Sequence, residues 1–181
     1  YFFHRIGEEL ADFGIAVGGN RADLGDLFVG GDLLGVFLQI LDHCFNREIE
    51  GLDDVEVWIH TCWGNPNMQK VFTDESYANS VEIYLERLKG DVWTVEATEN
   101  DLKELPLFAP YKNSLKKKVA VGVVSHRTLQ ADFPDVVAGR VRRALEHIPA
   151  DKLILSTDCG FGRQGFNRHL AFYKASAIPQ A

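Results

Sequence analysis

The chain has 181 residues, enough for a single domain with a hydrophobic core. Its hydrophobic fraction of 46% and charged fraction of 25% are ordinary for a globular protein, and its net charge of −7 argues against sequence-independent binding to nucleic acid or an anionic membrane. No apolar run reaches the length of a membrane span, and three cysteines are too few for a secreted disulfide framework, so we expect a cytoplasmic protein.

The first predicted element of any length is a helix at Asp32–Ile49. Its apolar side chains recur at three- and four-residue spacings, and Gly51 follows it in the position of a helix C-cap. Cys44 lies on this helix, and we interpret it as a small core residue. Residues 1–31 contain several glycines and predict only a short helix at Ile6–Phe13.

Strand and helix patterns alternate from there to the end of the chain. The predicted strands are Val55–His60, Val92–Glu96, Val119–Ser125 and Leu153–Thr157, and the predicted helices are Tyr77–Leu88, Asp135–His147 and Phe166–Ala175. The third strand is a continuous run of apolar residues, which is typical of a strand covered on both faces. The alternation predicts an α/β fold with a parallel sheet. We interpret 1–181 as one domain, with the βα units in 32–181.

Side chains that can bind a metal or carry a proton stand where these strands end. His60 and Cys62 close the first strand, Glu96 ends the second, His126 follows the third and Cys159 follows the fourth. The active sites of parallel α/β folds gather at the carboxyl ends of the strands. We therefore expect these five side chains to lie near one another.

The His60-x-Cys62 pair and Cys159 predict a zinc site. Residues two apart in an extended strand point to the same side, and thiolate and imidazole both suit zinc. Catalytic zinc sites usually have three protein ligands and an open position. Alone, either residue type is more often part of a core. Glu96 is the candidate fourth, displaceable ligand; its alternative role is to pair with a nearby base, and Glu99 competes with it.

Two further residues are candidates for roles around the metal. His126 has no cysteine beside it, so we interpret it as a general acid or base, although a structural histidine fits the spacing equally well. Asp158 precedes Cys159 and is a candidate to orient that ligand or to contact substrate. It is also placed to cap the turn that follows.

The segment after the last strand, Gly160–Gly165, matches the pattern G-x-G-x-x-G. A dinucleotide site also needs an acidic residue about 20 residues further on, which this sequence does not contain, so we reject that interpretation. The backbone N–H groups near Gly160 are candidates to hold an anionic part of a substrate. Arg163 is a candidate to assist, with simple exposure as its alternative.

Taken together, these motifs resemble the cobalamin-independent methionine synthase family, in its C-terminal catalytic barrel. They are His60-Thr61-Cys62, Val95-Glu96, Val124-Ser125-His126 and Thr157-Asp158-Cys159-Gly160-Phe161-Gly162. The similarity runs in order from about Phe37 to Ala177, and Trp63-Gly64-Asn65-Pro66 is more similar to the short, single-barrel members. The superfamily also includes zinc-dependent epoxyalkane:coenzyme M transferases.

The resemblance implies a (β/α)₈ barrel and a zinc-dependent thiol methyltransferase. It implies that zinc is held by the residues matching His60, Cys62, Glu96 and Cys159, and that a substrate thiol displaces a labile ligand. The histidine matching His126 would assist proton transfer at the alkyl donor. In the methionine synthases the donor is a methyltetrahydrofolate and the thiol is homocysteine.

The chain is short for such a barrel. A complete barrel takes roughly 250 residues, so the four predicted strands correspond to about four βα units, the C-terminal half. Residues 1–36 contain no recognisable match to the family's upstream substrate-binding segment. Since the chain also begins at Tyr1, we expect the natural protein to be longer. A half-barrel has open sheet edges, so we expect the missing half or an oligomeric partner to be needed.

Two alternatives to methionine synthesis remain open, and a third is disfavoured. One is another zinc-dependent thiol alkyltransferase or lyase of the superfamily, and another is a zinc-binding fragment without activity. A metal-free decarboxylase on a related barrel is disfavoured because it leaves Cys62 and Cys159 unexplained.

Overall fold

The computed structural model describes residues 42–64, 76–162 and 165–181. Predictions outside these residues concern Ile6–Phe13, residues 32–41, Asn65, Pro66, Arg163 and Gln164. Residues 42–48 form a helix, α1, which confirms the described part of the first predicted helix. No helix within the described ranges is both long enough and apolar enough to cross a membrane.

Among the described residues, four parallel strands form one sheet. They are β1 (Trp58–Thr61), β2 (Val92–Val95), β3 (Lys118–Val124) and β4 (Leu153–Thr157). Their order in the sheet, β1-β2-β3-β4, is their order in the chain. Because parallel crossovers are right-handed, successive connections in this order pass over the same face of the sheet. A (β/α)₈ barrel has this arrangement, whereas the strand order of a doubly wound sheet reverses.

The predicted strands are confirmed, with shifts at their ends. β4 has the predicted bounds, and β2 and β3 each end one residue early. β1 differs most, since it begins at Trp58 rather than Val55. Val55 is 52% exposed, and the pairing of β1 with β2 begins only at Trp58.

The first crossover contains a π-helical segment instead of the predicted α-helix over Tyr77–Leu88. The segment spans Ile83–Arg87, and the N–H of Leu88 donates to the carbonyl of Ile83, five residues back. Ile83 lies off the face that helical spacing assigns to Val81, Leu85 and Leu88, yet all four side chains are buried. The π-helical turn is wider than an α-helical turn, and it occurs where side chains on more than one face of the segment are buried.

The second crossover, between β2 and β3, contains two 3₁₀ segments that the sequence patterns did not indicate. They are Thr98–Asn100 and Leu105–Tyr111. Pro106 and Pro110 lie in the second segment. Because proline lacks an N–H and clashes with the preceding turn, a regular α-helix is disfavoured there.

The last two helices are confirmed with small shifts at their ends. Helix α2 spans Pro134–His147 and begins with proline, whose missing N–H costs nothing in the first turn. Helix α3 spans Arg168–Ser176. The side chain of Asn167 accepts a hydrogen bond from the N–H of Leu170, which caps the start of α3.

The core lies between the sheet and its crossovers, around Trp93 of β2. Trp93 is fully buried and contacts the rings of Tyr77, Tyr84 and Phe108, with centroid distances of 5.4, 4.7 and 5.5 Å. The two inner strands are almost entirely buried, whereas every residue of β4 is only partly buried. Among the described strands, β4 therefore forms one edge of the sheet.

Candidate metal centre

Two thiols and an imidazole meet at the carboxyl ends of the two outer strands. His60 lies in β1, Cys62 follows that strand, and Cys159 follows β4. The candidate ligand atoms of these three residues all lie within 4.8 Å of one another. In a flat sheet, strands separated by two others would be about 14 Å apart. The meeting of β1 and β4 residues therefore reflects a strongly curved, barrel-like sheet.

The imidazole of His60 is oriented by Thr94 of β2. His60 Nδ1 lies 2.8 Å from Thr94 Oγ1, and that hydroxyl donates its proton to the carbonyl of Ile59 at 3.2 Å. Thr94 Oγ1 therefore accepts from Nδ1–H, which assigns the lone pair to Nε2. His60 Nε2 lies 3.3 Å from Cys159 Sγ. The imidazole thus presents its lone pair to the thiols, as a metal ligand must.

The electrostatics of the cluster also fit a cation. Burial raises the pKa of the Cys159 thiol above its usual range, and the nearby Cys62, Glu96 and Asp158 raise it further. A bound metal supplies the positive charge that stabilises thiolates, because coordinating thiols are deprotonated. Two thiols and one imidazole form a donor set that suits zinc.

Asp158 ties the end of β4 to the segment that follows β2. It is 1% exposed; Oδ1 accepts from the N–H groups of Ala97 and Thr98 at 2.8 and 3.1 Å, and Oδ2 accepts from the Thr98 hydroxyl. Burial raises the pKa of Asp158 to about 6, although these hydrogen bonds oppose the shift. Its carboxylate thus binds residues across the sheet, and Asp158 fixes the backbone next to Cys159.

Glu96 is buried beside the cluster and paired with Arg127. Its Oε1 lies 2.9 Å from Arg127 Nε and 2.8 Å from Arg127 Nη2, and its Oε2 accepts from the N–H of Trp63 at 2.9 Å. The group within 4.8 Å contains His60, Cys62 and Cys159 but not Glu96. The Glu96 carboxylate therefore binds the backbone of the residue that follows Cys62. It is also paired with an arginine, which is the alternative role that the sequence left open.

Besides Thr94, sequence reasoning missed Arg127. It follows His126 directly, at the end of β3. One signal was available: a carboxylate such as Glu96, predicted at the end of a buried strand, needs a cationic or hydrogen-bonding partner. Which residue supplies it depends on the fold.

His126 and Glu99 also lie at this end of the sheet. His126 is fully buried. The hydroxyl of Ser125 donates to Glu99 Oε1 at 2.7 Å and accepts from the N–H of Arg127 at 3.1 Å, which fixes the turn around His126. Among the described residues, neither His126 nor Glu99 belongs to the three-residue metal group. The acid–base role of His126 remains a prediction.

The turn after β4 is held next to the cluster. Thr157 Oγ1 donates to the carbonyl of Cys159 at 2.9 Å. Gly160 is exposed, and a Cβ added there would meet no other atom within 4 Å. Nothing in the packing therefore requires glycine at this position, and its proposed contact with substrate stays a prediction.

The chain is similar in sequence to known enzymes. Residues 47–174 match the family described as cobalamin-independent synthase, catalytic domain. The chain is 26% identical to the 2-hydroxypropyl-CoM lyase of Xanthobacter autotrophicus, covering 64% of this chain and 37% of that protein. It is 22% identical to the methionine synthase of Thermococcus kodakarensis, covering 76% and 35%. It is 23% identical to the 5-methyltetrahydropteroyltriglutamate–homocysteine methyltransferase of Histophilus somni, covering 75% and 16%.

Solved structures share its fold. A B12-independent methionine synthase from Shewanella sp. W3-18-1 superposes with a TM-score of 0.65 at 24% identity, covering 81% of this chain and 44% of that chain. A putative B12-independent methionine synthase from Listeria monocytogenes gives 0.53 at 20% identity, covering 83% and 41%. The predicted fold class, part of a (β/α)₈ barrel, is confirmed by this likeness and by the strand order. The chain spans less than half the length of each of these proteins.

Proposed function

The chain belongs to the family of cobalamin-independent synthase catalytic domains, and from that membership we propose that it acts in methyl transfer to a thiol. The proposed donor is of the methyltetrahydrofolate type, and the proposed acceptor is homocysteine or a related thiol. The observation that carries the proposal is the convergence of His60, Cys62 and Cys159 within 4.8 Å. A methionine synthase and a homocysteine methyltransferase among its relatives support the same chemistry.

The proposed zinc ligands are His60, Cys62 and Cys159, with Glu96 as a displaceable fourth. Zinc, when bound, supplies the charge that lets a substrate thiol lose its proton near neutral pH. Thr94 holds the His60 ring so that Nε2 faces the thiols.

The methyl transfer needs one proton at the donor. The methyl group leaves the donor nitrogen and bonds to the thiol sulfur; the thiol gives up its proton, and the donor nitrogen takes one up. An amine leaves poorly unless it is protonated, and we assign that protonation to His126. Burial of His126 supports this role because it keeps the imidazole out of bulk water.

Two residues next to Cys159 receive separate roles. Asp158 already accepts three hydrogen bonds from Ala97 and Thr98, so we assign it to orienting Cys159. Gly160 is exposed and is assigned to substrate contact through its backbone N–H.

A second candidate function is an alkyltransferase or lyase that acts on a thiol without folate. The observation that favours it is the similarity to a 2-hydroxypropyl-CoM lyase, at 26% identity. The ligand set would be the same in both candidates. Binding of methyltetrahydrofolate separates them, since only the methyltransferase needs it.

The partly exposed strand β4 supports a need for further protein at the sheet edges. We propose that the rest of a barrel, from the same or another chain, covers them. Turnover that requires this addition, with zinc already bound by the present chain, would agree with the proposal. A chain that binds zinc and stays inactive in the completed barrel would instead be a metal-binding fragment without activity.

Metal content is the first test. We expect about one zinc ion per chain in protein purified without chelator, measured by inductively coupled plasma mass spectrometry. Cys62→Ser/Cys159→Ser should lose it, whereas Cys44→Ser, which changes a thiol on α1, should keep it. A well-folded wild-type protein without zinc, or full occupancy in the double variant, would overturn the assignment. Methyl transfer from methyltetrahydrofolate by the completed barrel then tests the reaction.

A further inference from the structure

We propose that Arg127 is a positioning residue that competes with the metal for the carboxylate of Glu96. Arg127 would thereby set how readily the fourth metal position becomes available to a thiol. This inference rests on the proposed function, because it requires a metal at His60, Cys62 and Cys159. It adds a role for Arg127, which none of the preceding assignments uses.

The first support is the burial of the pair. The side chain of Glu96 is 0% exposed and that of Arg127 is 8% exposed. Both Nε and Nη2 of Arg127 lie within 2.9 Å of Glu96 Oε1. A buried carboxylate needs a positive partner, and removing one member of a buried pair leaves the other charge uncompensated. Arg127 therefore gives Glu96 a stable position that does not involve a metal.

The second support is the position of the pair next to the metal ligands. Trp63, which follows Cys62, donates its N–H to Glu96 Oε2 at 2.9 Å. Arg127 Nη2 donates to the carbonyl of Gly64 at 2.9 Å. Both members of the pair thus bind the backbone that immediately follows Cys62.

The third support is the balance of charge. Two cysteine thiolates neutralise a divalent cation, so Glu96 as a further ligand makes the centre anionic. An arriving thiolate adds another negative charge, which favours the departure of Glu96. Because like charges in a buried site repel strongly, the carboxylate can leave only if a cation receives it. Arg127 is already in contact with it.

The test measures the effect of Arg127→Gln twice, once with Glu96 present and once with Glu96→Gln. Zinc affinity is measured by competition with a chromophoric chelator in wild type, Arg127→Gln, Glu96→Gln and the double variant. In Arg127→Gln, Glu96 loses its arginine partner and is left to bind the metal, so zinc should bind about tenfold more tightly. Glu96→Gln and the double variant should bind zinc equally, because neither has a carboxylate for Arg127 to hold.

Thiol binding provides the second readout. The Co²⁺-loaded variants are titrated with 2-mercaptoethanol, and the sulfur-to-cobalt charge-transfer absorption reports the added thiolate. Arg127→Gln should need about tenfold more thiol than wild type, and adding Glu96→Gln should abolish that difference. A purely structural role of Arg127 would weaken zinc binding and would act alike in both backgrounds; either result overturns the inference.

Two controls complete the design. Arg143→Gln removes an arginine from an exposed pair with Asp101 and should change neither binding constant. Arg127→Lys keeps the buried positive charge, and should give smaller shifts in the same direction if Arg127→Gln does not fold. Wild-type protein that shows no sulfur-to-cobalt absorption contradicts the metal site itself. Normal metal binding without any dependence on Arg127 contradicts only the present inference.

Discussion

The carboxylate of Asp158 lies directly against the backbone of Gly122. A Cβ added at Gly122 would stand 2.8 Å from Asp158 Cα and 2.9 Å from its Cγ, and closer still to Oδ1. The hydrogen bonds of Asp158 to Ala97 and Thr98 thus cross β3 at the one residue of that strand without a side chain. Close approach explains the glycine here, and this crossing positions the turn that carries Cys159.

Gly122→Ala should therefore disturb both stability and metal binding. The added methyl group meets backbone and a buried carboxylate, so we expect a loss of roughly 1–3 kcal/mol in unfolding free energy and weaker zinc binding. Urea denaturation and chelator competition measure the two effects. Gly139→Ala in α2 is the matched control: its Cβ would meet nothing within 4 Å, so the variant should be slightly more stable. If Gly122→Ala and Gly139→Ala had the same effects on stability and zinc binding, the close contact of Asp158 with Gly122 would be contradicted.

Thr94→Val should weaken zinc binding without unfolding the protein. Valine matches threonine in shape but cannot accept the proton of His60 Nδ1, so Nε2 is no longer selected as the ligand nitrogen. Loss of such a supporting contact typically lowers metal affinity about 10- to 100-fold. Chelator competition measures it, with Thr128→Val at an exposed loop position as the control. Unchanged affinity in Thr94→Val would remove Thr94 from the site.

His126→Gln should retain zinc and slow methyl transfer. A buried general acid contributes about 10²- to 10⁴-fold to the rate, and glutamine keeps much of the size of the ring without its acid–base function. The comparison requires the completed barrel, with zinc content measured on the same samples. His147→Gln, at the end of α2, should leave both quantities unchanged. Loss of zinc in His126→Gln would instead make His126 a ligand or a support of one.

Asp158 predicts a specific pH dependence in the metal-free protein. Burial raises its pKa to about 6 in the folded state, from 3.8 as the reference value. As the pH rises, the unfolded chain therefore releases this proton before the folded protein does. The contribution of protonated Asp158 to the unfolding free energy is complete below about pH 4 and is lost as the pH rises through about 6. Linkage limits the change to about 3 kcal/mol. Unfolding free energies of wild type and Asp158→Asn should converge or cross in this window; curves that stay parallel would exclude the shift.

The strands, the later helices and the identity of the metal candidates followed from the sequence. Apolar runs mark β2 and β3 almost residue by residue because buried parallel strands tolerate few polar side chains, and the partly buried β4 has the predicted bounds. The ends of those strands then locate Cys159 and Glu96 without further information. Local patterns did not indicate the π-helical segment Ile83–Arg87 or the 3₁₀ segment Leu105–Tyr111, because packing and proline geometry determine those turns.

The composition and alternation of the chain alone determined an α/β protein with thiol, imidazole and carboxylate groups at its strand ends. Only the tertiary structure decided how those groups are paired. The curvature of the sheet brings His60 to Cys159 across two intervening strands, and the buried carboxylate of Glu96 contacts Arg127 at the end of the next strand. Residue types and their spacing specify local chemistry, whereas contacts between distant strands depend on curvature and burial, which the whole fold sets.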